Sequence, residues 1–482
     1  MGNRLRTPSI HILDDDSLLH IFYLYRPFLL GEDEDNEDNG TQRFWGGNKR
    51  WVRGRWWYRL AQVCRRWRNI ILGSASYLNL SLVCTYGTPI ADMLTHSPHL
   101  PLIIDYYDLG RDITSDDEEG IIFALKQREC VLRVRLRTPV TSLQKFIAAM
   151  DDEYPILEFL VIELPAEDKS TMLILPETLQ APNLRSLNLV GLALPIGCRL
   201  LTTAVGLVTL SLYMVHPSTY IQPNTFLQWI SLMTQLEMLA IGFEFPIPSR
   251  DVGRQLTHTP IIAHVTLPNL RHFGFTGVPS HLEALVHRIA TPRLERLLIN
   301  FYSQLTFSVP RLLQFVNAAE DLRFGSAKFR FISGEVDVWV FPREEAEILS
   351  LGMAVFCWHL DWQVSSVAQF INSLSQVFSA VEHLTLEHYE HDLSSEEHNE
   401  VDRTEWRRLL RPFSNVKTLR IENRLVEDLS RCLQLEDGDI PLEVLPELQE
   451  LTYSGSGNIG DGFASFVDAR RNAGRPVTLV RG

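Results

Sequence analysis

Three stretches hold residue types whose spacing could do chemistry. Gly455-Ser456-Gly457-Asn458-Ile459-Gly460 spaces its glycines as G-x-G-x-x-G, which in a dinucleotide fold lets the backbone approach a pyrophosphate at a helix N-terminus. It comes after a strand-like run and precedes a helical pattern over 461–472, but the chain ends at 482. That leaves no room for an acidic ribose-binding position or the rest of a nucleotide-binding sheet, and the expected reading is a glycine-rich turn in a terminal repeat. Glu387-His388-Tyr389-Glu390-His391, with His383 and His398 nearby, offers imidazole and carboxylate ligands for a transition metal. It lacks H-E-x-x-H and runs into Ser394-Ser395-Glu396-Glu397, so a solvated loop is expected rather than a metal site. Trp45, Trp51, Trp56 and Trp57, interleaved with Lys49, Arg50, Arg53 and Arg55 in the run from Arg43 to Arg59, could stack on single-stranded nucleic acid. The adjoining Glu32, Asp33, Glu34, Asp35, Glu37 and Asp38 and a net charge of −14 oppose it, because phosphate binding needs clustered positive charge. With no Walker sequence, no G-x-S-x-G elbow and no Cys–His pairing of recognisable context, the expectation is a protein that is not an enzyme and uses no cofactor or metal.

The elements that would position these residues belong to a long chain. At 482 residues it exceeds the size at which one core stops growing, so several domains or an elongated repeat array are expected. A hydrophobic content of 45% and a mean hydropathy of −0.03 suit a soluble folded chain. Cys64, Cys84, Cys130, Cys198, Cys357 and Cys432 are scattered with no C-x-x-C pair, which predicts reduced thiols in the cytoplasm or nucleus. No signal-peptide core, and no apolar run near the roughly 18 to 20 residues of a spanning helix, is found. Met1-Gly2 starts like a myristoylation site, but Arg6 stands where Ser or Thr is required. No membrane and no nucleic-acid partner are expected.

Two amphipathic helices are predicted near the N-terminus. Asp14, Asp15 and Asp16 can cap a helix on which Leu18, Ile21, Phe22 and Tyr25 share a face, ended by Pro27. Over Arg55 to Leu72, Leu60, Val63, Cys64, Trp67, Ile70 and Ile71 fall on one helical stripe, with Arg59, Arg65, Arg66 and Arg68 opposite. The intervening insertion, about 31–54, is expected to be disordered or flexible, its acidic half a solvated loop. So small a module buries little of its own surface, so a face of Trp, Ile, Phe and Val needs a partner or a succeeding domain to complete it.

Taken together, Ile12-Leu13, the Ile21-Phe22 helix and Val63-Cys64-Arg65-Arg66-Trp67-Arg68-Asn69-Ile70 resemble an F-box, the module that docks onto the Skp adaptor of cullin-based ubiquitin ligases. The run from Tyr77 to Ile90, including Leu82-Val83-Cys84-Thr85-Tyr86-Gly87-Thr88-Pro89, and Leu100 to Tyr106 are similar to the segment C-terminal to the F-box in large, expanded families of fungal F-box proteins. The resemblance covers residues 9–28 and 55–106, and departs in having Leu13-Asp14 where the family has Leu-Pro and in the long insertion. It implies adaptor-facing or F-box-packing roles for Ile12, Leu13, Ile21, Phe22, Leu24, Val63, Cys64, Trp67 and Ile70, with Trp67 as the anchor.

From residue 131 the pattern apolar-x-x-apolar-x-apolar recurs, at Val131-Val134-Leu136, Leu157-Leu160-Ile162, Leu184-Leu187-Leu189, Leu207-Leu210-Leu212, Leu236-Leu239-Ile241, Leu270-Phe273-Phe275, Leu294-Leu297-Ile299, Val381-Leu384-Leu386, Val416-Leu419-Ile421 and Leu448-Leu451-Tyr453. Spacings from 23 (184 to 207) to 35 (381 to 416) suit a leucine-rich repeat of one strand and one helix per unit. Leu322 reads as a degenerate unit, and the missing strand between it and Val381 is placed at Ile348 to Trp358. Helices are predicted over 225–233 and 365–378 after Ser or Thr caps. Pro182, Pro268 and Pro292 precede strands, where a missing N–H does no damage. The fold class is α/β: a helical F-box module at 1–85, a junction at 86–130, and an irregular solenoid at 131–482 with parallel strands on the concave face and helices outside. The function this implies is that of a substrate receptor docking a Skp-type adaptor and cullin subunits and recruiting a protein substrate through the repeats. The rival is a repeat scaffold or receptor outside any ligase, its F-box-like helices only capping the solenoid.

Overall fold

Alternating apolar side chains on short strands build most of the architecture. The computed structural model describes residues 13–26, 56–96, 100–107, 111–165, 172–195, 197–216, 221–244, 264–302, 309–389, 401–422, 425–434, 443–454 and 462–481. The chain is mixed α/β and packs as two units, Met1–Ala204 and Val205–Gly482.

The first unit opens with helices α1 (Asp15–Tyr25), α2 (Trp56–Ala61), α3 (Arg65–Gly73) and α4 (Ala75–Leu78). Strands β1 (Leu82–Cys84), β2 (Leu102–Tyr106), β3 (Val131–Leu136), β4 (Phe159–Glu163) and β6 (Ser186–Val190) come next, paired in parallel and in chain order. β5 (Leu173–Ile174) and β7 (Leu192–Ala193) form a separate small pair. Register aligns the apolar positions: Val134 stands beside Leu160 and Leu160 beside Leu187, while Leu136, Ile162 and Leu189 form the next row. Strands begin before residue 131, because Leu82-Val83-Cys84 and Leu102-Ile103-Ile104 already pair with each other. Between β2 and β3, the helix Ser115–Leu125 starts with a reciprocal cap, in which Thr114 Oγ1 accepts from Asp117 N–H and Asp117 accepts from Thr114 N–H.

The second unit continues with β8 (Thr209–Val215), β9 (Met238–Phe243), β10 (Val265–Thr266), β11 (His272–Gly277), β12 (Ile289–Ala290), β13 (Arg296–Tyr302), β14 (Ser326–Ile332), β15 (Glu335–Phe341), β16 (Leu351–Phe356), β17 (His383–Tyr389), β18 (Thr418–Glu422), β19 (Glu450–Ser454) and β20 (Thr478–Arg481). All ten apolar triplets end in parallel strands, three in the first unit and seven in the second. Leu210, Leu239, Phe273, Leu297 and Leu351 form one continuous row, and Ala327, Leu384, Leu419, Leu451 and Leu479 another. These rows face helices: Phe301 meets Phe370 of Leu360–Ser373 at 6.3 Å, and Phe331 meets Trp406 of Arg403–Leu410 at 5.7 Å. The helices predicted over 225–233 and 365–378 are found at Pro223–Ile230 and at Leu360–Ser373 with Ser375–Phe378. Their caps are Gln222 and His359, neither making a side-chain cap hydrogen bond, rather than Ser or Thr; burial of the apolar face holds them instead.

One segment breaks the parallel order. β16 occupies the place predicted for the missing strand, but it sits beside β13, and β14 and β15 are inserted after it to give the order β13-β16-β15-β14-β17. β15 runs antiparallel to both neighbours. Leu322 lies just ahead of this three-stranded meander. The cause is local: Lys328-Phe329-Arg330-Phe331 and Val336-Asp337-Val338-Trp339 both alternate with period two, and Ser333-Gly334 joins them as a two-residue turn with Gly334 at φ +91°.

Leu419 is 1% exposed in the middle of its row. Leu419→Ala is expected to cost about 3 kcal/mol of unfolding free energy in urea melts.

Candidate functional site

The residues singled out near the N-terminus lie on α1, α2 and α3. Asp14 caps α1, its carboxylate accepting from Ser17 N–H at 2.7 Å, and hydrogen bonding from the Ser17 side chain, with this backbone bond, holds the Asp14 carboxyl below its ordinary range. The shared face predicted for α1 divides in two. Leu18 and Phe22 are buried, whereas Ile21 is 42% exposed, Leu24 66% and Tyr25 61%. Positions 21, 24 and 25 share a helix face by their i, i+3, i+4 spacing, so α1 has one face against the chain and a second apolar face open.

The helix predicted over Arg55 to Leu72 is two helices. α2 stops at Ala61 and α3 starts at Arg65, with Cys64 extended at φ −159°, ψ 168°. Val63 and Cys64 are modest helix formers, and the reason α3 turns away is its attachment to α1. Arg66 donates through Nη2 to the Leu13 carbonyl at 2.6 Å and through Nε to Asp15 Oδ1 at 2.8 Å. The Trp67 ring meets Phe22 edge-on at 4.9 Å. The Arg66–Asp15 ion pair is exposed and contributes at most about 1 kcal/mol; the buried Phe22 ring contributes several times more, so ring packing decides the geometry. The break also disperses the predicted stripe: Ile71 is buried, Trp67, Ile70 and Cys64 are half-buried, and Val63 is 59% exposed.

Of the nine residues expected to face an adaptor or pack the module, Ile12 lies outside the described residues. Leu13 is half-buried and serves Arg66 through its carbonyl. Phe22 and Trp67 pack against each other, while Ile21, Leu24 and Val63 are open. Sequence reasoning missed the aromatic brackets around this module: Tyr25 reaches Trp56 at 6.4 Å, Tyr23 reaches Tyr77 at 5.3 Å, and Trp57 Nε1–H donates to the Ser81 carbonyl at 3.2 Å. Their spacings in the chain are too long for helical periodicity to reveal. Trp57 was legible only as part of a basic, aromatic run, most of which lies outside the described residues.

The other chemical signals resolve differently. Gly455–Gly460 lies outside the described residues, as do Glu390, His391 and His398. His383 to Tyr389 is strand β17 and not a loop, because Leu384 and Leu386 supply the apolar rows described above. Glu387 is buried and paired with Lys328 Nζ at 2.6 Å. No group of three or more His, Cys, Asp or Glu side chains among the described residues is arranged to hold a metal. Burial pushes the Cys357 and Cys432 thiols up to about 12, so neither supplies a thiolate near neutral pH. No helix among the described residues is long and apolar enough to cross a membrane. No family model matches the chain, and no curated protein matches it.

Two outcomes test this geometry. Leu24→Asp is expected to leave the unfolding midpoint unchanged, whereas Phe22→Ala should cost about 3 kcal/mol. Native-state alkylation by iodoacetamide at pH 8, with mass spectrometry as the readout, is expected to leave Cys357 and Cys432 unmodified while the half-buried Cys64 reacts.

Proposed function

We propose that the chain is the substrate receptor of a Skp–cullin–F-box ubiquitin ligase, a non-catalytic adaptor working in the cytoplasm or nucleus. The observation that carries this reading is the open apolar face of Ile21, Leu24 and Tyr25, with Val63 also open, on a helical module that has already packed the buried Phe22 against the half-buried Trp67. Six of the sixteen exposed large hydrophobic side chains among the described residues fall between Ile21 and Tyr77, and such concentration is a mark of a protein-binding surface. Burying each aliphatic side chain would contribute roughly 1.5–3 kcal/mol. The resemblance of Val63 to Ile70 and of the Ile21-Phe22 helix to an F-box supplies the identity of the partner. The alternation of parallel strands and helices from β3 onward supports a leucine-rich-repeat array, with an antiparallel insertion, as the substrate-presenting part.

The rival reading, that the helices merely cap the array, draws on the bond from Trp57 to the Ser81 carbonyl, which ties α2 to the residue before β1. An enclosed Ile21 would favour it, and Ile21 is open. Trp67 is less of an anchor on this reading than Leu24 and Ile21, since its ring already packs on Phe22.

Co-purification of the full chain with a Skp-type adaptor is the test. Wild type is expected to bring the adaptor down, and Ile21→Asp and Leu24→Asp to weaken binding at least about tenfold with an unchanged unfolding midpoint. Absence of the adaptor from the wild-type eluate, or equal capture by both variants, overturns the reading.

A further inference from the structure

The antiparallel insertion creates a side-chain row that the repeat pattern does not contain. On the sheet face away from the helices, register sets Tyr302 beside Phe356, Phe356 beside Glu335, Glu335 beside Ile332, and Ile332 beside Tyr389. Tyr302 and Phe356 stack, with centroids 5.6 Å apart and planes at 21°. The Tyr302 hydroxyl donates to the Phe243 carbonyl at 2.6 Å, fixing that ring. Gln363 Nε2 donates to the carbonyls of Ile332 and Cys357, both at 2.8 Å, and so pins the ends of β14 and β16. Beside the turn at Gly334 stands Trp358, 77% exposed and the most exposed large hydrophobic side chain among the described residues.

The charges of the neighbouring row are matched within the chain. Asp337 takes Arg330 at 2.7 Å, Glu387 takes Lys328 at 2.6 Å, and Glu422 takes Arg420 at 2.7 Å. Arg330 also lies over the Trp339 ring at 4.4 Å. Glu335 is the carboxylate left over: it is half-buried, and no ion pair or hydrogen bond reaches its side chain among the described residues. Its desolvation, with the charge of Asp337 nearby, raises its carboxyl above the ordinary range, and the charge of Arg330, which is paired with Asp337, offsets this only in part. A cation at this position would relieve both effects, and the stacked rings beside it offer a cation a second attraction.

We propose that the row Tyr302–Phe356–Glu335 binds the guanidinium or ammonium group of an Arg or Lys side chain in an extended segment of a partner protein, with Trp358 flanking it. The pinned strand ends make the site preorganised, and its charge selects against acidic segments. Ile332 and Tyr389 continue the row and give neighbouring residues of the segment an apolar surface. The site is independent of adaptor docking, whose residues lie in the other unit.

The test uses the full chain and four pools of fluorescent nonapeptides carrying central Arg, Lys, citrulline or Glu between random Gly, Ser, Thr and Val flanks. Fluorescence anisotropy near physiological salt is expected to show binding of the Arg and Lys pools, with citrulline and Glu at least about tenfold weaker. Glu335→Gln and Trp358→Ala should each lower affinity for the Arg pool about tenfold while keeping the unfolding midpoint and adaptor capture of the wild type. Equal binding of the citrulline pool, preference for the Glu pool, no binding by any pool, or unchanged affinity in both variants overturns the proposal. Loss of adaptor capture by the wild-type chain with peptide binding intact would sink the ligase reading alone.

Discussion

Stacking parallel strands in chain order requires that each connection return the same face of the next strand to the same side, and aligned apolar residues enforce that condition. A slip of one residue would turn Leu419 and Ile421 outward and Arg420 inward between Leu384 and Leu451. The rows containing Leu210, Leu239, Phe273 and Leu297, and Leu384, Leu419 and Leu451, are therefore register locks as much as they are a core. Helices then need only supply an apolar stripe, which explains why several form without a side-chain cap: His359 and Gln222 make no cap bond, yet Val364, Val367, Phe370 and Phe226 are fully buried behind them.

The same constraint explains which parts of the chain could be read in advance. Each triplet marks a strand because two buried positions of a strand must be two residues apart, a signal local enough to see in one sequence. The meander was hidden for the opposite reason. Lys328 to Ile332 and Glu335 to Phe341 alternate as clearly as any strand, but their pairing depends on a turn at Ser333-Gly334, and reading for a repeat of fixed polarity passes over a hairpin. The order β13-β16-β15-β14 then results, since β16 and β14 must both run parallel to the flanking strands, and one antiparallel strand between them satisfies this.

The helical module shows the limit of periodicity from another side. The stripe Leu60, Val63, Cys64, Trp67, Ile70 and Ile71 is helical in spacing, but Arg66 and Trp67 are held by Leu13, Asp15 and Phe22, residues more than forty positions earlier. Tertiary contacts outrank a local pattern whose middle members, Val63 and Cys64, have little helix preference of their own. Asp14 was legible as a cap because a cap is local. The exposure of Ile21 and Leu24 was not, because burial on α1 depends on where α3 lies.

These two breaks in the pattern share a consequence. A strand-helix array that satisfies its register everywhere presents polar and small residues on its free face, as with Gly274, Thr276 and Asn300 on β11 and β13. Aromatic residues left open or half-open cost solvation free energy in the isolated chain, and several stand where the regular pattern yields: Tyr25 and Tyr23 on α1, Phe356 and Trp358 beside the inserted hairpin. An array built only to be stable could replace them with Thr or Lys at no cost to register. Trp358 in particular fills no core position, and Glu335 gains no ion pair among the described residues from its half-buried place. Stability accounts for neither, whereas the proposed contact with another chain would account for both, as the proposed adaptor docking would for the open face of α1.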